Sequence, residues 1–77
     1  MQREAALALR RKYELVHVPS PGKVERWKRR TRELMAGGYP AEQAGMEAAR
    51  SVFTYEYHEH RVFNETPVEE ILGDTDA

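Results

Sequence analysis

The chain has 77 residues, 40% of them hydrophobic, and no cysteine. That describes one small folded domain with neither disulfides nor a cysteine-rich zinc site to support it, so oligomerisation or docking onto a larger assembly is the expected source of further stability. A formal net charge of −1 conceals a division. Residues 1–53 carry eleven Lys/Arg against six Asp/Glu, and residues 54–77 carry one against seven, so a body of net +5 precedes a stretch of net −6.

Ala6, Leu9, Tyr13 and Val16 recur at 3-4-3 spacing, which predicts an amphipathic helix over residues 2–16. Leu7 and Leu15 fall on its far side, where a second contact surface would cover them. His17-Val18-Pro19-Ser20-Pro21-Gly22 ends that helix, because two prolines and a glycine cannot continue it. Ser20 then serves as an N-cap with Pro21 at the first helical position, opening a second helix over 22–36. Its apolar stripe is Val24, Trp27, Thr31, Leu34 and Met35. The remaining positions are charged, and Arg26/Arg30 and Lys28/Arg32 are like-charge pairs at i, i+4 that cost a few tenths of a kcal/mol each.

Gly37-Gly38 closes the second helix through a left-handed cap, and Tyr39-Pro40 opens a third over 40–53 with proline at its first position. This helix has a small-residue face of Ala41, Ala44, Gly45, Ala48 and Val52 and a bulkier one through Met46, Ala49 and Phe53. A helix apolar on two sides lies between neighbours, either inside this chain or between copies. Residues 54–63 alternate as an extended segment would through Tyr55 and Tyr57, although the spacing of Val52, Tyr55, Glu59 and Val62 also permits a helix. Thr66-Pro67-Val68-Glu69 is a capping-box pattern that starts a short helix over 67–72, pinned by Val68, Ile71 and Leu72 and stopped by Gly73. The fold class expected is therefore mainly α, a single small three-helix domain over 1–73 with a capped C-terminal helix and a disordered tail at 74–77. The predicted core draws on Leu9, Tyr13, Val24, Trp27, Leu34, Ala44, Ala48, Val52 and Phe53.

No apolar run approaches the ~20 residues of a membrane span, and the opening Met1-Gln2-Arg3-Glu4 lacks the pattern of a secretory signal, so a soluble cytoplasmic chain is expected. There is no cysteine nucleophile, phosphate loop, nucleophile elbow or dinucleotide fingerprint, and neither an enzyme nor a cofactor is expected. The run from Lys23 to Arg32 is the densest cationic block, and its Arg26, Lys28, Arg29, Arg30 and Arg32 are the candidate partner-binding residues, together with Leu7 and Leu15. A phosphate backbone would also select such a cluster. Trp27, however, belongs to the apolar stripe rather than to a stacking surface, Glu25 and Glu33 interrupt the charge, and the pI is near 6.3. A helix-turn-helix would have to read bases with Glu42, Gln43, Glu47, Arg50 and Ser51, a poor fit to a phosphate-lined groove. On a strand, Glu56, His58 and His60 would share one face and offer two imidazoles and a carboxylate to a metal or to a pH-sensitive contact.

The run from Leu34 to Ala44 resembles the first loop of ubiquitin-associated domains, where a helix ends on a Gly-aromatic pair and the next opens with a Glu and a buried Ala. The likeness spans about eleven residues, and two extra residues interrupt the turn, so it assigns no family. The function expected is that of a non-catalytic interaction protein, an accessory subunit or regulator. It would dock on a protein partner or a second copy through the basic helix 22–36 and the spare apolar faces of helices 1 and 3, with the acidic tail as a competitor or complement. The alternatives are a nucleic-acid binder using phosphate contacts, and a metal-binding or pH-sensing module at the Tyr/Glu/His segment.

Overall fold

Stripes at helical spacing, punctuated by Pro and Gly, yield four helices among the described residues of the computed structural model, which are 2–55 and 67–73. They are α1 (Gln2–Tyr13), α2 (Pro21–Ala36), α3 (Ala41–Val52) and α4 (Val68–Gly73). The protein is mostly helical, and no described residue lies in a strand. No described helix is long and apolar enough to cross a membrane.

The first helix stops earlier than its periodicity suggests. Glu14 adopts a left-handed conformation (φ 53°), and the Leu15 N–H donates to the Arg10 carbonyl at 3.0 Å, the long backbone bond of a Schellman closure. A residue other than glycine in this conformation costs about 1–2 kcal/mol. The reversal turns Leu15 inward, where only 4% of it remains exposed, and leaves Val16 outside. This corrects two expectations from a helix reaching residue 16: Leu15 is core rather than contact surface, and Val16 is not part of the apolar stripe.

The second helix begins as its sequence indicates, with the Ser20 hydroxyl accepting the Lys23 N–H at 3.3 Å and Pro21 at the first position. It ends in a second Schellman closure: the Gly38 N–H donates to the Met35 carbonyl (3.0 Å) and the Tyr39 N–H to the Leu34 carbonyl (3.1 Å). Gly38 holds φ 111°, a conformation that a side chain would strain. Pro40 caps α3 rather than opening it, and at the far end the Thr54 hydroxyl reaches the carbonyls of Ser51 (3.0 Å) and Arg50 (3.2 Å).

The core is centred on Trp27, Tyr13 and Leu9, all fully buried. The Tyr13 and Trp27 rings lie 6.4 Å apart at 55°, a tilted aromatic pair, and the indole N–H donates to the Gly45 carbonyl at 2.9 Å. Thr31 tolerates its buried position because its hydroxyl donates to the Trp27 carbonyl one turn back (2.7 Å). Within this chain α3 packs against α2 and, less extensively, against α4. Ala44, Gly45, Ala48, Ala49 and Phe53 are buried, while Leu34 and Val52, placed in the core by their spacing, are half-buried at its edge.

Two lysines sit inside this core. Lys12 is 1% exposed at its side chain and faces Glu42 Oε1 at 2.8 Å, while Lys28 is likewise 1% exposed. Glu42, still half-exposed, uses its other oxygen to accept the Val68 N–H at 2.8 Å, so one carboxylate on α3 holds both α1 and the start of α4. Burial works against its ionisation, but the Lys12 ammonium and the Val68 N–H outweigh this and hold the carboxyl below its ordinary value. The favourable α4 dipole adds to the same preference. At the other end of α4 the Arg32 guanidinium donates to the Leu72 carbonyl at 3.0 Å.

Candidate functional site

The five cations singled out on α2 divide by the face they occupy. Val24, Trp27, Lys28 and Thr31 follow i, i+3, i+4, i+7 spacing and form the buried stripe. Lys28 is thus a core residue and not a partner contact, a correction that follows from the stripe being wider than its apolar members alone. Arg32 is exposed yet engaged on α4. Arg26, Arg29 and Arg30 stand outward, on the side where α2 runs antiparallel to α3.

Along that seam runs a shallow groove made of three adjoining depressions. The central one is lined by Arg26, Arg29, Arg30, Glu33, Ser51 and Val52. It shares Arg26 and Val52 with a second that adds Lys23 and Tyr55, and Arg30 and Ser51 with a third that adds Leu34, Tyr39, Glu47 and Arg50. Five cations therefore face two carboxylates. Both carboxylates are paired on their own helix, Glu33 with Arg30 at 3.3 Å and Glu47 with Arg50 at 3.5 Å. Among the described residues no ion pair involves Lys23, Arg26 or Arg29. An aromatic ring stands at each end, Tyr55 at 99% exposure and Tyr39 at 41%.

Tyr39, Arg50, Ser51 and Tyr55 belong to this groove although they lie outside the charge block, as does Lys23, which opens that block but was not among the candidate contacts. The signal available in the sequence was positional. Arg50 and Ser51 lie on the turn of α3 that an antiparallel α2 brings opposite Arg26 and Arg30, and the two tyrosines flank α3. Leu7 remains outward at 44% exposure, away from these lining residues, and Leu15 is withdrawn into the core. Glu56, His58 and His60 lie outside the described residues, as do most of the segment 54–63, Thr66 of the capping pattern and the tail 74–77. Thr54 and Tyr55, the described part of that segment, form a turn. Among the described residues no group of three His, Asp or Glu side chains is placed to hold a metal ion.

Comparison with protein-family models, curated proteins and solved structures finds no match to this chain.

Proposed function

We propose that this chain is a non-catalytic interaction module that docks onto an acidic segment of a protein partner through the groove between α2 and α3. The observation that supports the reading is the division of cations on α2. Lys28 and Arg32 are committed to the fold, whereas Lys23, Arg26 and Arg29 line an open groove and form no ion pair with a described carboxylate. Clustered guanidiniums repel one another along a helix, and an anion laid across them relieves that repulsion while gaining charge-assisted hydrogen bonds.

A protein segment suits the groove better than a nucleic acid. Val52 and Leu34 place half-buried apolar surface along it, and Glu33 stands in its central depression and Glu47 in the one toward Tyr39. A peptide can alternate carboxylates with apolar side chains to match this, whereas a phosphodiester carries a charge at every nucleotide and would meet both glutamates.

The test is fluorescence anisotropy of the full chain with a labelled glutamate-rich peptide, and separately with labelled single-stranded and duplex DNA, at low and high salt. Peptide binding that weakens with salt and is lost in the double variant R26E/R29E supports the proposal. Tighter, steeply salt-dependent binding to DNA overturns it in favour of the phosphate-contact reading. A stable homodimer by light scattering that masks the groove overturns it in favour of self-assembly.

A further inference from the structure

We infer that the cleft filled by α4 is a recognition site for the first turns of a partner's amphipathic helix, apolar at i, i+3 and i+4, with α4 as the occupant held in cis. α4 has six residues, fewer than an isolated helix needs in water. Its form is therefore imposed by what receives it. Val68, Ile71 and Leu72, at i, i+3 and i+4, are buried where α4 packs on α1 and α3, while Glu69, Glu70 and Gly73 are exposed. Val68 occupies the space over Gly45 that a side chain there would need. The two ends are read as well: Glu42 accepts the Val68 N–H at 2.8 Å, and Arg32 donates to the Leu72 carbonyl at 3.0 Å. A carboxylate at the N-terminal end and a guanidinium at the C-terminal end complement a helix dipole in one direction only, so the site fixes polarity as well as side-chain spacing. None of these contacts depends on which residues α4 exposes.

The site is separate from the groove between α2 and α3, none of whose lining residues takes part in it, so the inference stands apart from the acidic-partner reading. What favours a partner's helix as the competing occupant is length. Nothing lies within 4 Å of a would-be Cβ on Gly73, so a helix that starts at Glu42 has room at this point to continue. A helix already formed within a partner's fold is spared the ordering cost that α4 bears, and this offsets the advantage of the tether that keeps α4 close.

The experiment uses the full chain and a labelled helical probe of about sixteen residues, Pro-Val-Glu-Glu-Ile-Leu continued by alanine, glutamate and lysine. A control probe carries alanine at the three apolar positions. In the I71A/L72A variant the cis helix loses two of its anchors, and the probe is expected to bind this variant at least about tenfold more tightly than the wild-type chain, since apparent affinity scales with the fraction of chains whose cleft is open. Adding R32A to that variant should weaken the probe by removing the contact at its carbonyl end. Where I71A/L72A does not fold by itself, the probe should return its Trp27 emission to the wild-type spectrum, because Val68 and that indole meet at Gly45. Equal affinity for the wild-type chain and the variant, equal binding of the control probe, or neither binding nor recovery of emission overturns the inference. A wild-type dimer by light scattering that I71A/L72A abolishes overturns the partner's helix in favour of α4 exchanged between copies.

Discussion

The indole N–H of Trp27 reaches the carbonyl of Gly45 at 2.9 Å, and at that same residue of α3 a side chain has no room. A Cβ built on Gly45 would stand 2.6 Å from Val68 Cγ2, 2.8 Å from the Tyr13 hydroxyl and 3.2 Å from Trp27 Cζ2. Side chains from α1, α2 and α4 converge on this one position of α3.

Replacing Gly45 with alanine should therefore destabilise the protein. The substitution gains roughly 1 kcal/mol of helix propensity, but overpacking of this kind loses about 1–3 kcal/mol, and contacts below 3.0 Å to a β-branched neighbour place it high in that range. Gly22, in the first turn of α2, has nothing within 4 Å of its would-be Cβ. G22A should raise the urea midpoint while G45A lowers it, and equal shifts of one sign would refute the packing argument.

Glu42 should be worth more than a surface glutamate. E42Q keeps an acceptor for the Val68 N–H but leaves the Lys12 ammonium buried without its counter-charge, at a loss of about 1–3 kcal/mol, below the full figure for buried pairs because Glu42 is half-exposed. K12M in the E42Q background removes the stranded charge and should recover most of the loss. A double-mutant cycle in chemical denaturation reads the coupling.

The same carboxylate sets a pH dependence. Its folded value lies below its unfolded one, so the stabilisation it provides is complete above the ordinary glutamate value of 4.5 and fades as pH falls through the lower folded value. Melting temperature should drop on acidification below that point, and the drop should be shallower in E42Q. Identical acid limbs for the two proteins would show that the carboxylate titrates alike in folded and unfolded chains.

Gly38 occupies φ 111°, where a side chain is strained whatever the space around it. G38A should cost about 1–2 kcal/mol, while G37A, at φ −83°, should cost less. Thermal melts of the two variants side by side test whether the second glycine of the pair is the one the turn requires.

Much of this fold is legible in the sequence, because prolines, glycines and capping residues act locally. Ser20-Pro21 and Gly37-Gly38 bound α2 as their chemistry dictates, and the stripe through Val24, Trp27 and Thr31 does face the core. The end of α1 was hidden because Glu14 takes a conformation that its residue type disfavours, and burial of Leu15 and the two prolines beyond offset the strain. Lys12 and Lys28 were hidden for a different reason. Their charge argued for solvent, whereas their spacing within the apolar stripes argued for the core, and the spacing prevailed once Glu42 stood opposite Lys12. The groove was half legible: the arginine block announced it, but only the antiparallel approach of α3 shows which arginines share a face.

Val68 answers to Glu42 across 26 residues and Arg32 to Leu72 across 40, whereas α2 and α3 are joined by a short turn. Loop-closure entropy favours the early pairing of α2 with α3 and delays the docking of the last helix until the rest is in place. Weakening α4 at Ile71 or Leu72 is then expected to leave the refolding rate nearly unchanged and to accelerate unfolding, so the shortest helix governs the lifetime of the native state rather than the speed at which it forms.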